Sequence, residues 1–120
     1  MGRNMAARLI GGYGGDMRFF DVVPANMADI PAQARASSLV SLAKDCDIIV
    51  TMLPATSHVK TALGENLFPH AKKGSLFIDC STIDPTASKQ LSADAAAMGH
   101  CFIDAPVRLS LLFYHRASSL

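Results

Sequence analysis

The sequence predicts a doubly wound parallel α/β sheet, and three observations carry that prediction. Short apolar runs rich in β-branched and aromatic residues recur at DIIVTML (47–53), SLFID (75–79) and CFIDAPV (101–107). Near-continuous runs of this kind are typical of parallel strands covered on both faces. The stretches between them carry helical periodicity with start and stop signals, so strand and helix alternate along the chain.

Taken in order, MGRNMAARLI reads as a helix, with Met5, Leu9 and the intervening Ala residues on one face and Arg3, Asn4 and Arg8 elsewhere. GGYGGD is a Gly-rich connector. MRFFDVV follows as a short strand that ends near Asp21, and Pro24 suits the first turn of a short helix, PANMADI. Residues 34–36, Ala-Arg-Ala, are a further strand candidate. SLVSLAKDC, from Ser38, is a helix with Leu39, Leu42 and Ala43 inward. After the strand at 47–53, Pro54 ends the extended chain and a helix runs near Ser57 to Leu63.

Beyond the strand at 75–79, Asp84 can cap a helix that has Pro85 at its first position. Ala87, Leu91, Ala95 and Met98 give that helix one apolar stripe, and Gly99 stops it. The final stretch, RLSLLFYHRASSL, breaks the rhythm: it is apolar, then basic and Ser-rich, and fits a short helix or a frayed tail. No internal repeat or low-complexity segment interrupts the chain.

The totals narrow the function classes. At 120 residues there is room for one core. Half the residues are hydrophobic and the net charge is +1, which favours neither disorder nor a nucleic-acid surface. No run approaches the ~18 apolar residues of a membrane span, and the start does not read as a secretory signal. Cys46, Cys80 and Cys101 lie in or beside the expected strands without C-x-x-C spacing, which suits buried thiols in a reducing compartment. His58, His70, His100 and His115 show no ligand spacing, so no metal is expected.

In an open parallel sheet, ligands bind beyond the carboxyl ends of the strands. Three such ends carry suggestive residues. Asp21 lies nineteen positions after Gly2, a spacing at which a carboxylate can accept both ribose hydroxyls of an adenine dinucleotide and repel a 2′-phosphate. Alternatively it is a solvated Asp at a strand-to-turn junction. At TMLP (51–54), Pro54 forces a turn whose backbone can lie against a flat ligand, or it merely ends the strand. In CSTIDP (80–85), Ser81 and Thr82 stand where a strand meets a helix N-terminus, a place that suits hydroxyl-bearing or anionic ligands or simple capping. No Ser/His/Asp or Cys/His set and no complete phosphate loop is legible. Asp79 and Asp104 end strands without implying a distance, and Lys72-Lys73 before Gly74 reads as a solvated turn.

These residues resemble the β-hydroxyacid dehydrogenase family. The carrying stretches are MGRNMAARL, FFDVVP, DIIVTMLP, KKGSLFIDCSTIDPTASKQL and MGHCFIDAPV, across about residues 1 to 107. FIDCSTIDP followed by FIDAPV at this separation is the specific part. The resemblance implies a Rossmann-like domain and an NAD-dependent oxidation of a small 3-hydroxy acid to its semialdehyde. It places Met1 and Gly2 at the end of a G-x-G-x-M-G fingerprint, with Gly2 under the pyrophosphate and Asp21 on the adenosine ribose. Met52, Leu53 and Pro54 would line the adenosine side, His58 would stand where the family often has Asn, and Thr82 would reach towards the nicotinamide ribose.

The family's first strand and first two fingerprint glycines are not matched, so the expected sheet lacks its first, central strand. That leaves the strands near 20 and 35 separate from the three that follow. Residues 1–107 are therefore expected to be a partial dinucleotide-binding domain and 108–120 a divergent tail, where Arg108-Leu109-Ser110 replaces the family's substrate-contacting Ser-Gly-Gly. The family's proton-transfer Lys lies in a helical domain with no counterpart here, so no catalytic residue is assigned and the chain alone is expected to be inactive. The 3-hydroxyisobutyrate branch, which forms methylmalonate semialdehyde in valine breakdown, is favoured by STIDP and Asp21. Tartronate semialdehyde or 6-phosphogluconate chemistry, or a non-catalytic nucleotide-binding or interaction fragment, are the alternatives. The resemblance further implies a homo-oligomer, mitochondrial in a eukaryote and cytoplasmic in a bacterium.

Overall fold

The computed structural model describes residues 16–106. The expected first helix, the cofactor candidates Met1 and Gly2, and the tail at 108–120 lie outside the described residues. Within them, three strands form one parallel sheet in sequence order: β1 (Ile48–Thr51), β2 (Leu76–Asp79) and β3 (Cys101–Asp104). Ile48, Val50 and Thr51 stand opposite Leu76, Ile78 and Asp79, which in turn stand opposite Cys101, Ile103 and Asp104. A separate parallel bridge joins Phe19 to Arg35, with Phe19 N–H donating to Ala34 O at 2.8 Å and Ala36 N–H donating to Phe19 O at 2.7 Å. Both expected early strands thus pair with each other, though only over a single bridge. The expected PANMADI helix is a short 3-10 turn, Pro24–Met27.

The helices follow their local chemistry. Helix α1 (Leu39–Asp45) starts at Ser38, whose hydroxyl accepts from Ser41 N–H at 3.1 Å, and buries Leu42 and Ala43. Helix α2 (Thr56–Lys60) runs directly into a wider π-type stretch, Thr61–Leu67, so the helical segment exceeds the expected Ser57–Leu63. Phe68 N–H reaches back five residues to Leu63 O at 2.8 Å. Helix α3 (Pro85–Ala97) begins as expected, with Asp84 accepting from Thr86 N–H at 2.9 Å and Pro85 in the first turn. It ends in a Schellman motif: Gly99 N–H donates to Ala96 O at 3.1 Å and His100 N–H to Ala95 O at 2.8 Å, with Gly99 at φ +81°.

The core lies on one face of the sheet. Phe68 and Phe77 meet edge to face with centroids 4.8 Å apart, among Ile49, Val59, Leu63, Leu67, Leu91 and Ala95. Phe20 and Ala36 join this cluster and tie the Phe19–Arg35 bridge to it. His100 Nε2 lies 2.9 Å from Phe68 O, so Nε2 carries the proton, since a carbonyl only accepts. Two expectations are corrected here. Met98 leaves the apolar stripe and is 42% exposed, because it sits in the C-cap after the helix has ended. Cys101 is exposed where a buried thiol was expected.

The exposure of Cys101 and the burial pattern of β1 have one cause. Ile48 and Val50 are 59% and 43% exposed while Ile49 and Thr51 are buried. Register places Ile48, Leu76 and Cys101, then Val50, Ile78 and Ile103, on the same face. The apolar runs predict cover on both faces; among the described residues only the opposite face has it.

Candidate functional site

The carboxyl ends of β1 and β2 lie side by side, and polar side chains join them. Thr51, the last residue of β1, donates through its hydroxyl to Asp79 Oδ1 at 2.8 Å, and Ser81 N–H donates to the same oxygen at 3.1 Å. Leu53 N–H donates to Ser81 Oγ at 2.8 Å. Asp84 N–H donates to Thr56 Oγ1 at 3.2 Å. Asp79 and Ser81 are fully shielded from solvent at 0% exposure. Asp79 Oδ2 has no hydrogen-bond partner among the described residues. Leaving a buried polar group so costs about 1–3 kcal/mol, an expense that an apolar residue at this position would avoid. Cys80, between the two, has its thiol pushed up from the ordinary 9.0 by burial first and the neighbouring Asp79 charge second.

Around this buried root stand the sequence-predicted residues. Met52 and Leu53 are half-buried and Pro54 is exposed on the β1 side. Thr82 is exposed on the β2 side, its hydroxyl unengaged among the described residues. Ser81 was open between ligand contact and capping; it is instead the buried acceptor of Leu53 N–H, and Asp84 alone caps α3. His58 is exposed in α2, two residues past Thr56. Asp21 follows the Phe19 bridge and closes an Asx turn, with Oδ1 accepting from Val23 N–H at 2.8 Å and Oδ2 from Asn26 Nδ2 at 3.2 Å. These bonds fix the carboxylate at the mouth of its turn while leaving it solvent-accessible. Asp79 and Asp104 are register partners at adjacent strand ends, but their environments differ: Asp104 is exposed and accepts from Ser88 Oγ at 3.1 Å. Lys72 and Lys73 are solvated beside Gly74 at φ +82°, and Lys72 pairs with Asp47 at 3.3 Å.

The residues present fit a dinucleotide. One strand end offers apolar surface and a Pro turn, the next an exposed hydroxyl, and Asp21 a charge for ribose hydroxyls. Gly2, the residue expected at the pyrophosphate, lies outside the described residues. The Thr51–Asp79–Ser81 linkage is what sequence reasoning missed. Its signal was a Thr and an Asp closing two apolar strands at equal distance from their starts.

Comparisons with known proteins identify the family and the fold. Residues 1–108 match the family model described as the NAD binding domain of 6-phosphogluconate dehydrogenase. Rat mitochondrial 3-hydroxyisobutyrate dehydrogenase is 40% identical over 111 residues, covering 89% of this chain and 33% of that protein. The NAD-dependent L-serine dehydrogenase of Pseudomonas aeruginosa is 33% identical over 112 residues, covering 89% of this chain and 37% of that protein. The solved structure of Mycobacterium tuberculosis 3-hydroxyisobutyrate dehydrogenase with L-serine superposes with a TM-score of 0.81 at 32% identity, covering 88% of this chain and 36% of that one. The chain thus spans about a third of the length of the curated relatives it matches. The fold is Rossmann-like and the cofactor is NAD: the chain belongs to the family of the NAD binding domain of 6-phosphogluconate dehydrogenase, whose members are oxidoreductases.

Proposed function

We propose that this chain is the cofactor-binding part of a dehydrogenase that oxidises 3-hydroxyisobutyrate to methylmalonate semialdehyde. The observation that carries the reading is the pairing of the Leu53–Pro54 turn with Thr82 at adjacent strand ends, in a chain 40% identical to the rat enzyme of that name. Residues 1–107 are the dinucleotide-binding unit in this reading, and 108–120 a divergent segment. Gly2, with Met1 before it, packs under the pyrophosphate, Asp21 holds the adenosine ribose, Met52, Leu53 and Pro54 line the adenosine side with His58 at its rim, and Thr82 meets the nicotinamide ribose.

NAD supplies the hydride acceptor; the chain's own residues bind and orient it. The substrate hydroxyl proton must pass to a base, and no described residue is placed for that role, so the reading assigns none here. The names of the relatives support a substrate bearing a hydroxyl on carbon 3, a feature that L-serine shares with 3-hydroxyisobutyrate. Homologues labelled mitochondrial support that compartment in a eukaryotic host. A homo-oligomer is the proposed assembly of the whole enzyme.

The test is a fluorescence titration of the 120-residue chain with NADH, alongside an assay with NAD and 3-hydroxyisobutyrate. Saturable NADH binding without turnover is expected, because the chain holds the cofactor surface and no assigned base. Turnover by this chain alone overturns the assignment of proton transfer elsewhere. Absence of NADH binding favours the second reading, a remnant that serves as an interaction fragment.

A further inference from the structure

The three side-chain bonds that join the ends of β1 and β2 share one sequence offset. Thr51 bonds Asp79, Leu53 bonds Ser81 and Thr56 bonds Asp84, and each pair is separated by 28 residues. That is also the register of the strands, in which Ile48 stands opposite Leu76 and Thr51 opposite Asp79. The backbone ladder itself stops at Cys80 N–H, which donates to Thr51 O at 2.8 Å. Beyond that point the two chains would be free to splay, as loops leaving parallel strands do once backbone pairing ends. Side chains keep them in register instead, for five further residues.

We propose that this polar zipper, rooted in Asp79, is a positioning device for the nicotinamide nucleotide. It rests on the NAD reading of this edge and adds to it three residues that touch no cofactor in that reading: Thr51, Asp79 and Ser81. Asp79 Oδ1 receives a donor from each chain, the Thr51 hydroxyl and the Ser81 amide, and so fixes where Ser81 stands. Ser81 Oγ then holds the amide of Leu53, which fixes the turn that ends at Pro54. The exposed Pro54 and Thr82 each follow directly on a tied residue, Leu53 and Ser81, so the same bonds set where both turns begin. A buried carboxylate with one oxygen unpaired among the described residues is poorly suited to stabilising a core and well suited to gathering donors from two strand ends.

The zipper is tested in the full 120-residue chain with four variants and two readouts. Ser81→Ala removes the tie to Leu53, Asp79→Asn weakens the root, Thr51→Val removes the hydroxyl at nearly constant shape, and Thr51→Ser keeps it. Amide hydrogen exchange at Leu53 is expected to quicken at least tenfold in the first three, with Ile49 and Phe77 amides within twofold of the parent. Thr51→Ser is expected to retain the parent rate. NADH affinity is expected to fall about five- to tenfold in the same three variants and to be kept in Thr51→Ser. A Leu53 amide that exchanges at the parent rate in Ser81→Ala and Asp79→Asn overturns the zipper. A freed Leu53 with unchanged NADH affinity overturns its role in positioning. Exchange that rises equally at Ile49 and Phe77 marks a merely structural role and also overturns it. If the parent chain binds no NADH, the NAD reading fails, while the exchange rates still decide whether Asp79 sets the Leu53 turn.

Discussion

Asp21 is held at the mouth of its turn by Val23 N–H and Asn26 Nδ2, so its charge occupies a fixed place at the end of its strand. A fixed carboxylate accepts ribose hydroxyls and repels a 2′-phosphate. Asp21→Ser keeps an oxygen for the turn and removes the charge. We expect the preference for NADH over NADPH to narrow about tenfold, equivalent to ~1.4 kcal/mol, as read by paired fluorescence titrations. The thiols offer a second residue-scale prediction. Burial raises both Cys46 and Cys80 from the ordinary 9.0, with the Asp45 and Asp79 charges adding to it respectively. The thiolate is the reactive form, so iodoacetamide at neutral pH is expected to label exposed Cys101 first and Cys80 last. Because the fold disfavours both thiolates, the stability this lends is complete below pH 9 and declines as pH rises through the raised values. Denaturant midpoints measured from pH 7 to 10 would show the decline.

The elements were legible in the sequence where local chemistry alone decides them. Asp84, Pro85 and Gly99 bracket α3 because a cap, a fixed φ and a left-handed residue act within a few positions. A Cβ at Gly99 would meet nothing within 4 Å, so Gly99→Ala tests conformation without a clash. At φ +81° it is expected to lower stability by about 1 kcal/mol, visible as a lower Tm in the full chain. What the sequence could not disclose depends on partners far along the chain. The π-type stretch Thr61–Leu67 places Leu63 and Leu67 in the core cluster with Phe68 and Phe77, which no local pattern announces. Met98 and Cys101 have core chemistry and stand exposed because their surroundings, not their type, set their burial. Of the candidate site, Pro54 was marked by turn chemistry at a strand end, Asp21 by its spacing from Gly2, Thr82 by its strand-to-helix junction, and Leu53 by the family resemblance. Asp79 gathering Thr51 and Ser81 required knowledge of strand register.

At the scale of the whole molecule, the sheet is asymmetric among the described residues. One face packs Phe77 and Ile49 into the core, while Ile48, Val50 and Ile103 show 59%, 43% and 45% exposure on the other. β1 also has no strand paired to its second edge among the described residues. Open apolar faces and free edges favour association. The double variant Val50→Thr, Ile103→Thr keeps β-branched chains at both positions and is expected to shift size-exclusion elution of the chain towards the monomer at equal concentration. An unchanged profile would place the association surface elsewhere.

The bonds that continue the β1–β2 register also set a gradient of motion. Thr51–Asp79 is buried, Leu53–Ser81 is partly buried and Thr56–Asp84 is exposed. Water competes best for the outermost bond, so thermal opening begins at Thr56 and works inward, and the amplitude of breathing grows with distance from the sheet. An incoming nucleotide would first meet a compliant rim that can yield to it, then a rigid floor that cannot.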